Sequence, residues 1–465
     1  MSWLWTAEAM IEAMEGRPVG SLPQGITGIS IDSRTLAAGD AFFAIKGDRF
    51  DGHDFVSGAI INGAALLVVS EAKLPALGRL TVPLIVVDDV LAALGRLGEA
   101  ARARSEAKIV AVTGSVGKTT TKAMLAQALR PSGTVHAANA SFNNHWGVPL
   151  TLARMPAEAK FGVFEIGMNH AGEIRPLVKM VRPHVAVVTT VVAAHLGHFK
   201  NLGEIAAAKA EIFEGLEPGG AALLNRDNEK FSALKKRAEA CGVKHILSFG
   251  GHKQADFRRL DVTLHADRSE MRVKIGDDAL DVTIGAPGRH IVDNAVAVLG
   301  AVSLLGGDVE AAARTLAGAT AQKGRGARHV LQHPDGPFLL IDDSYNANPA
   351  SMRAALAVLA AVPVGKGGKR IAALGDMLEL GRFSAKLHAE LAGPVAAAGV
   401  DRLYLVGDEM AALAEAVPEN LPVKRFADAV SLADALKAEV GPGDAVVVKS
   451  SLGLGFGRVV AALLD

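Results

Sequence analysis

One cysteine, Cys241, stands in a chain of 465 residues. That excludes an internal disulfide framework and a cysteine-based metal cluster. An excess of charge of either sign is also missing. The 49 Lys+Arg balance 49 Asp+Glu, so no electrostatic footprint for nucleic acid or an anionic membrane is expected. Long apolar runs are lacking too. The longest, near Val185 to Ala194, is interrupted by Thr189 and Thr190 and is too short to cross a bilayer. The opening Met1-Ser2-Trp3-Leu4-Trp5-Thr6-Ala7-Glu8 has no basic region leading into a long apolar segment, so no secretory signal is expected. Heptad runs, low-complexity tails and short repeats are absent. What is present is a 50% hydrophobic, 21% charged chain long enough for roughly two to four domains with large cores. The expectation is a soluble, cytoplasmic protein.

The centre of the chain is Val110-Ala111-Val112-Thr113-Gly114-Ser115-Val116-Gly117-Lys118-Thr119-Thr120. An apolar run over 108–112 predicts a buried strand. Lys118-Thr119-Thr120 then opens a helical pattern with Met124, Leu125 and Leu129 on one side. A Gly-rich loop between strand and helix aims backbone N–H groups at an anion. Its lysine can reach a terminal phosphate, and a Thr hydroxyl can hold Mg²⁺. The strict phosphate-loop pattern would put a glycine where Val112 stands, so this is a shorter Gly-x-x-Gly-Lys-Thr form. The alternative is a tight turn that binds nothing. Strand, glycines, Lys-Thr and helix together argue against it.

Short strands are predicted at 27–31 and 41–45, buried ones at 66–69 and 84–87, and an amphipathic helix over 91–103 with Arg96, Glu99 and Arg102 exposed. From residue 108 a repeated βα rhythm predicts strands at 108–112, 161–166, 185–190 and 221–224, a doubly wound, mostly parallel sheet. Between 257 and 283 the period changes to two, which predicts hairpins. A helix over 294–305 follows. The glycine-rich, basic segment Gln322-Lys323-Gly324-Arg325-Gly326-Ala327-Arg328 reads as a domain junction. A third βα series predicts strands at 338–342, 370–374, 402–406 and 445–448, and helices over 349–359, 384–398 and 455–464. The fold class is α/β in three domains, 1–105, 106–326 and 327–465.

Glu165 and His195 each fall just at or past a strand end, where ligands of open α/β sheets gather. A carboxylate and an imidazole there can complete a Mg²⁺ shell beside phosphate oxygens. Either alone reads as a solvated or capping residue; both in one nucleotide domain favour the functional reading. Lys209, in Ala206-Ala207-Ala208-Lys209-Ala210-Glu211-Ile212-Phe213, reads from its residues alone as an exposed helical lysine. Asp342-Asp343-Ser344-Tyr345-Asn346-Ala347-Asn348-Pro349 ends a strand and starts a helix. Asp343 can accept from a ribose hydroxyl, and Asn346 and Asn348 offer paired donors and acceptors. The same segment also suits an N-cap with proline in the first turn. Ser30-Ile31-Asp32-Ser33-Arg34 and Ala44-Ile45-Lys46-Gly47 are polar strand ends that taken singly read as ordinary turns.

Taken together, these stretches resemble the ATP-dependent Mur ligases of peptidoglycan synthesis, and among them the branch that adds a dipeptide. Asp32-Ser33-Arg34 with Ala44-Ile45-Lys46-Gly47, the loop from Thr113 to Thr119, the Lys209 helix and the segment around Asn346 carry the likeness, in the family's order; Asn143-Asn144-His145-Trp146-Gly147-Val148-Pro149-Leu150-Thr151 adds to it. The resemblance implies an ATP-dependent ligase joining D-alanyl-D-alanine to UDP-N-acetylmuramoyl-tripeptide through an acyl phosphate. It implies that Ser33, Arg34, Lys46 and Gly47 serve the UDP-substrate, and that Gly114, Ser115, Val116, Gly117, Lys118, Thr119 and Thr120 hold ATP. Asn294, Arg325 and Asp343 would contact adenine, phosphate and ribose, and Asn346 and Asn348 the amine substrate. Thr119, Glu165, His195 and Lys209 would serve Mg²⁺, with Lys209 carbamylated by CO₂, which reverses the reading of Lys209 as an exposed helical lysine. Lys118, His195 and Lys209 would be catalytic. No nucleic-acid partner or membrane insertion is implied, and a monomer is expected.

Two departures stand out. Ile291 follows Gly288-Arg289-His290 where the family usually has Asn, and Lys449-Ser450-Ser451-Leu452 replaces Lys-Gly-Ser-Arg. Rival readings are a sister ligase adding one amino acid, a folate polyglutamylating enzyme, and a catalytically dead nucleotide-binding regulator. The Asn346–Pro349 segment argues against the first two, and joint retention of Lys118, Glu165, His195 and Lys209 against the third.

Overall fold

A computed structural model of the chain describes residues 3–194 and 196–465. Three large sheets organise it, besides a two-stranded antiparallel pair of Trp5–Thr6 and Gly25–Ile26. The first has five strands in the order Arg17–Val19, Leu84–Val87, Leu66–Ser70, Asp40–Phe43, Gly28–Ser30, parallel except for the antiparallel edge Arg17–Val19. The second has nine, running from Asp278–Ile284 through Ser269–Ile275, Phe257–Leu264, His245–Gly250, Ala221–Asn225, Val185–Val188, Lys108–Thr113 and Phe161–Glu165 to Val135–Ala137. It is parallel from Val135–Ala137 as far as Phe257–Leu264 and ends in antiparallel hairpins. The third has six strands, ordered Ala327–Leu331, Phe338–Asp343, Ala445–Lys449, Arg370–Gly375, Arg402–Val406, Val423–Phe426, with only the first pair antiparallel.

The strand sequences explain this order. Val185–Val188 and Leu84–Val87 are short unbroken apolar runs buried on both faces, as parallel strands covered by helices must be. Each face of the nine-stranded sheet carries its own core. Helix Arg289–Leu304 fills one face with Val292, Val296, Val298, Leu299 and Val302, all fully buried. Each such side chain contributes roughly 1.5–3 kcal/mol relative to exposure.

Helix Gly147–Ala153 joins the first two sheets. All seven of its residues are buried; Val148 and Leu152 pack on the second sheet's core while Leu150 and Ala153 pack on the first. Trp5 Nε1 donates to Ala153 O at 2.8 Å, Arg154 Nε donates to Ile29 O at 2.7 Å, and Arg104 stacks 3.4 Å above the Trp5 ring. The third sheet touches the second more lightly, for instance where Gly197 N donates to Glu379 O at 2.7 Å.

Several expectations need correction. Arg102 is buried, because its guanidinium donates to Val181 O, Arg182 O and Glu217 at the junction of the first two sheets. The helix expected over 294–305 begins at Arg289, and the one expected over 384–398 is two, Ser384–Ala389 and Ala392–Ala397. Pro394 has no N–H to offer the carbonyl of residue 390, which breaks the longer helix there. Strands His245–Gly250, Val135–Ala137 and Val423–Phe426 were not expected. Lys209 is only 1% exposed, so the reading of an exposed helical lysine fails.

Candidate functional site

Strand Lys108–Thr113 lies between Phe161–Glu165 and Val185–Val188, where the sheet winds outward in both directions. Such a switch point opens a crevice at the carboxyl ends of the strands. The phosphate loop fills it. Gly117 has φ +85°, and a Cβ there would lie 2.7 Å from Asn294 Oδ1, so only glycine suits the position. The loop is pinned by its neighbour strand's end. Thr189 Oγ1 donates to Val116 O at 2.6 Å, Ser115 N donates to Thr190 O at 2.9 Å, and Ser115 Oγ donates to Val192 O at 3.0 Å.

Helix Lys118–Ala128 starts at once after the loop. Lys118 Nζ donates to Gly114 O at 2.8 Å, and burial pulls its pKa below the usual lysine range, with the Glu165 charge opposing. Thr119 Oγ1 donates to Glu165 Oε1 at 3.0 Å and lies 2.9 Å from Ser141 Oγ. Asn143 Nδ2 donates to the same Glu165 oxygen at 2.7 Å. Thr119 and Glu165 are buried. Two hard oxygen ligands therefore meet beside the phosphate loop, a donor set that suits Mg²⁺. Lys209, on helix Leu202–Ala210, is held well below the ordinary lysine pKa by desolvation and then by the Lys118 charge. His195 lies outside the described residues.

The third sheet supplies the opposite wall. Asp343 ends strand Phe338–Asp343, and Lys449 ends the adjacent parallel strand Ala445–Lys449, with Lys449 Nζ 2.8 Å from Asp343 Oδ2. Burial raises the Asp343 pKa against the pull of Lys449. Lys449 Nζ also donates to Asn346 O at 2.8 Å. Asn346 is exposed, while Asn348 caps helix Pro349–Ala361 by accepting from Ser351 N. The N-cap reading of this segment is therefore realised for Asn348 through its Oδ1. Arg325 stacks 4.2 Å over Tyr345 and reaches Ser141 Oγ at 3.5 Å across the gap. Its flanking residues are fixed to the third sheet, as Gly324 N donates to Asp342 Oδ2 and Gly326 N to Asp342 O, both at 2.8 Å.

A cleft of about 710 Å³ joins these walls. Ser115, Val116, Gly117, Lys118, Thr119, Thr120, Glu165, Asn294, Arg325, Asp343, Asn346 and Asn348 all line it, as do Ile291 and Leu452 at the two departures from the family pattern. Gly114 and Lys209 are not among its lining residues; Gly114 O accepts from Lys118 Nζ, and the Lys118 charge acts on Lys209. Ser33, Arg34, Lys46 and Gly47 are elsewhere, in the loops that follow strands Gly28–Ser30 and Asp40–Phe43 of the first sheet. There Arg34 is exposed and paired with Asp32 at 2.7 Å, Ser33 O accepts from Asn62 Nδ2, Gly47 N donates to Phe50 O, and the Lys46 backbone forms an isolated antiparallel β-bridge with Asp51. Sequence reasoning did not single out Ser141 or Lys122, and it quoted Asn143 only within the stretch that adds to the family resemblance, with no role. The loop of Ser141 and Asn143 follows a three-residue edge strand with little pattern, but Lys122 stands one helical turn beyond Lys118, a spacing that places both on one face.

Comparison with known proteins agrees with this architecture. The family model described as Mur ligase family, catalytic domain matches residues 25–102, Mur ligase middle domain matches 112–302, and Mur ligase, glutamate ligase domain matches 324–452. UDP-N-acetylmuramoyl-tripeptide–D-alanyl-D-alanine ligase of Escherichia coli (strain K12) is 35% identical over 94% of this chain and 93% of that protein. A crystal structure of MurF from Acinetobacter baumannii superposes with TM-score 0.83 and 31% identity, covering 99% of this chain and 98% of that one. MurF ligase from Thermotoga maritima in complex with ADP gives TM-score 0.76 and 27% identity over 94% and 96% of the two chains. With such identity along nearly its whole length, the chain belongs to the Mur ligase family.

Proposed function

We propose that this chain is an ATP-dependent amide ligase that joins D-alanyl-D-alanine to UDP-N-acetylmuramoyl-tripeptide in peptidoglycan precursor synthesis. The observation that carries the reading is a single cleft in which Lys118, Thr119 and Glu165 face Arg325, Asp343 and Asn346. The printed names of the Escherichia coli and other relatives support it. Residues 1–105, with Ser33, Arg34, Lys46 and Gly47, are assigned to the UDP-substrate, 106–326 to ATP, and 327–465 to the amine. Residues 114–120 cradle the phosphates. Asn294, Arg325 and Asp343 serve adenine, phosphate and ribose.

A substrate carboxylate oxygen attacks the γ-phosphorus of ATP; the bond to the β-bridging oxygen breaks, giving ADP and an acyl phosphate. Lys118 and Arg325 neutralise charge on the transferring group. The dipeptide amine then attacks the acyl carbon, phosphate leaves, and the amine proton is lost. Thr119, Glu165, His195 and Lys209 would hold Mg²⁺. The ion, when bound, supplies further charge neutralisation at the phosphates. Lys209 serves as a carbamate: its desolvated neutral amine adds to CO₂ and loses a proton, leaving a carboxylate. Asn346 and the free amide nitrogen of Asn348 face the dipeptide. Every part named lies in one chain, so a monomer suffices, and ATP with a nucleotide-linked precursor places the reaction in the cytoplasm. Among the described residues no helix is long and apolar enough to cross a membrane.

The test is phosphate release with ATP, Mg²⁺ and UDP-N-acetylmuramoyl-tripeptide, adding D-alanyl-D-alanine or D-alanine. Release should require the dipeptide. Faster turnover with the single amino acid would sink the assignment.

A further inference from the structure

We infer that Lys122 is a positioning residue of the nucleotide site, its ammonium fastening the loop 138–144 that sets Ser141 and Asn143 on the Thr119–Glu165 pair. Lys122 is 2% exposed, on helix Lys118–Ala128, one turn beyond Lys118. Its Nζ donates to two backbone carbonyls of that loop, Ala138 O and Ala140 O, each at 2.7 Å. A buried ammonium is unfavourable unless hydrogen-bonded, so these two bonds define where the loop must lie.

The loop needs such a tether. It follows Val135–Ala137, a three-residue edge strand that pairs with Phe161–Glu165. Its second half is held independently, because Gly167 N donates to Asn143 O at 2.8 Å and Gly147 N to Asn144 Oδ1 at 3.0 Å. Its first half depends on Lys122. Ser141 and Asn143 lie just beyond those carbonyls. They meet Thr119 Oγ1 and Glu165 Oε1 at 2.9 and 2.7 Å, and Ser141 is also what Arg325 reaches from the opposite wall. One helix thus presents Lys118 and Thr119 to the cleft and, a turn later, ties down the loop that buttresses them.

The inference rests on the reading of this cleft as a nucleotide site, and ADP binding by the unaltered full-length protein tests that reading alone. The inference itself is tested with Lys122→Met, Lys122→Arg, Asn143→Ala and the double variant Lys122→Met/Asn143→Ala. Three readouts are taken: hydrogen exchange of the amides in 138–144, ADP affinity by calorimetry, and Tm. Lys122→Met should speed exchange in the loop and weaken ADP binding by about 10- to 100-fold, the range for removing a residue that orients a ligand. Lys122→Arg, which keeps charge and donors, should recover most of both. The double variant should bind ADP no more weakly than the weaker single variant, because both changes act through one loop. Wild-type exchange in 138–144 would overturn the inference, as would additive losses in the double variant. If Lys122→Met does not fold, Lys122→Gln carries the same comparison, with the same outcomes expected and refuting.

Discussion

Replacing Gly117 by alanine forces a left-handed backbone, φ +85°, to carry a Cβ. For an L-residue that conformation costs roughly 1–2 kcal/mol. Alanine at Gly172 isolates this term. Gly172 has φ +92°, and a Cβ there meets nothing within 4 Å. Gly172→Ala should therefore lower stability by about 1–2 kcal/mol, roughly 2–8 °C in Tm for a unit of this size, and leave ADP affinity unchanged. Gly117→Ala carries a second term. Its Cβ would come 2.7 Å from Asn294 Oδ1, well inside the ordinary 3.4 Å limit. Asn294 sits on the buried helix Arg289–Leu304, so its side chain must yield rather than the backbone. That side chain lines the cleft. If the loop keeps its shape, the strain appears in Tm; if it relaxes, the strain appears as lost phosphate contacts. ADP affinity should then fall by about 5- to 30-fold, the equivalent of 1–2 kcal/mol. Calorimetric ADP titrations and thermal melts of both variants make the comparison. If Gly117→Ala binds ADP like wild type and melts no lower than Gly172→Ala, the steric account of this loop is wrong.

Lys209→Ala should reduce turnover by on the order of 10²-fold, as when one charge-stabilising group is removed from an active site. Short carboxylates such as formate should partly restore it, and full activity without them would eliminate the carbamate. Acid should destabilise the protein through His184 and His136. Burial holds both below the ordinary histidine pKa of 6.5, with the Lys108 and Arg102 charges adding at His184. The unfolded chain takes up these protons first. Stability is therefore complete above about pH 6.5 and falls as pH drops through that value toward the lower folded pKa values. His184 Nδ1 accepts from Ile109 N at 3.0 Å, a bond that protonation destroys. In His184→Asn the drop in Tm between pH 7.5 and 5.5 should shrink; an undiminished drop would clear His184.

The buried parallel strands were legible because they are continuous apolar runs, and the phosphate loop because its glycines and Lys118-Thr119 stand between a strand and a helix. Lys209 was misread from its neighbours. Its helix has Ile205, Ala208 and Ile212 facing inward, and Lys209, four residues after Ile205 and three before Ile212, shares that face; the usual exposure of a lysine was weighed above that spacing. Arg102 failed for a different reason. Helical spacing made it look solvent-facing, but its side is covered by the turn at Val181 and Arg182, which no local pattern reveals. Asn348 was ambiguous between cap and ligand, and its two amide atoms allow both. For Lys122 the spacing from Lys118 marks the helix face, but its partners needed tertiary information, since they are backbone carbonyls and carry no side-chain signature.

The grip of Asp342 on Gly324 and Gly326 determines which part of the molecule owns Arg325. Although Arg325 precedes the third sheet in the chain, it is bolted to it. Ala319 is buried with the second sheet's core, so any swivel between the two bodies must occur in residues 320–323. Lys118, Thr119 and Glu165 belong to the second sheet's body, whereas the arginine belongs to the third's. On the proposed assignment, the second cation for the transferred phosphoryl group is therefore carried by the body that binds the amine, while Lys118 is carried by the body that binds ATP.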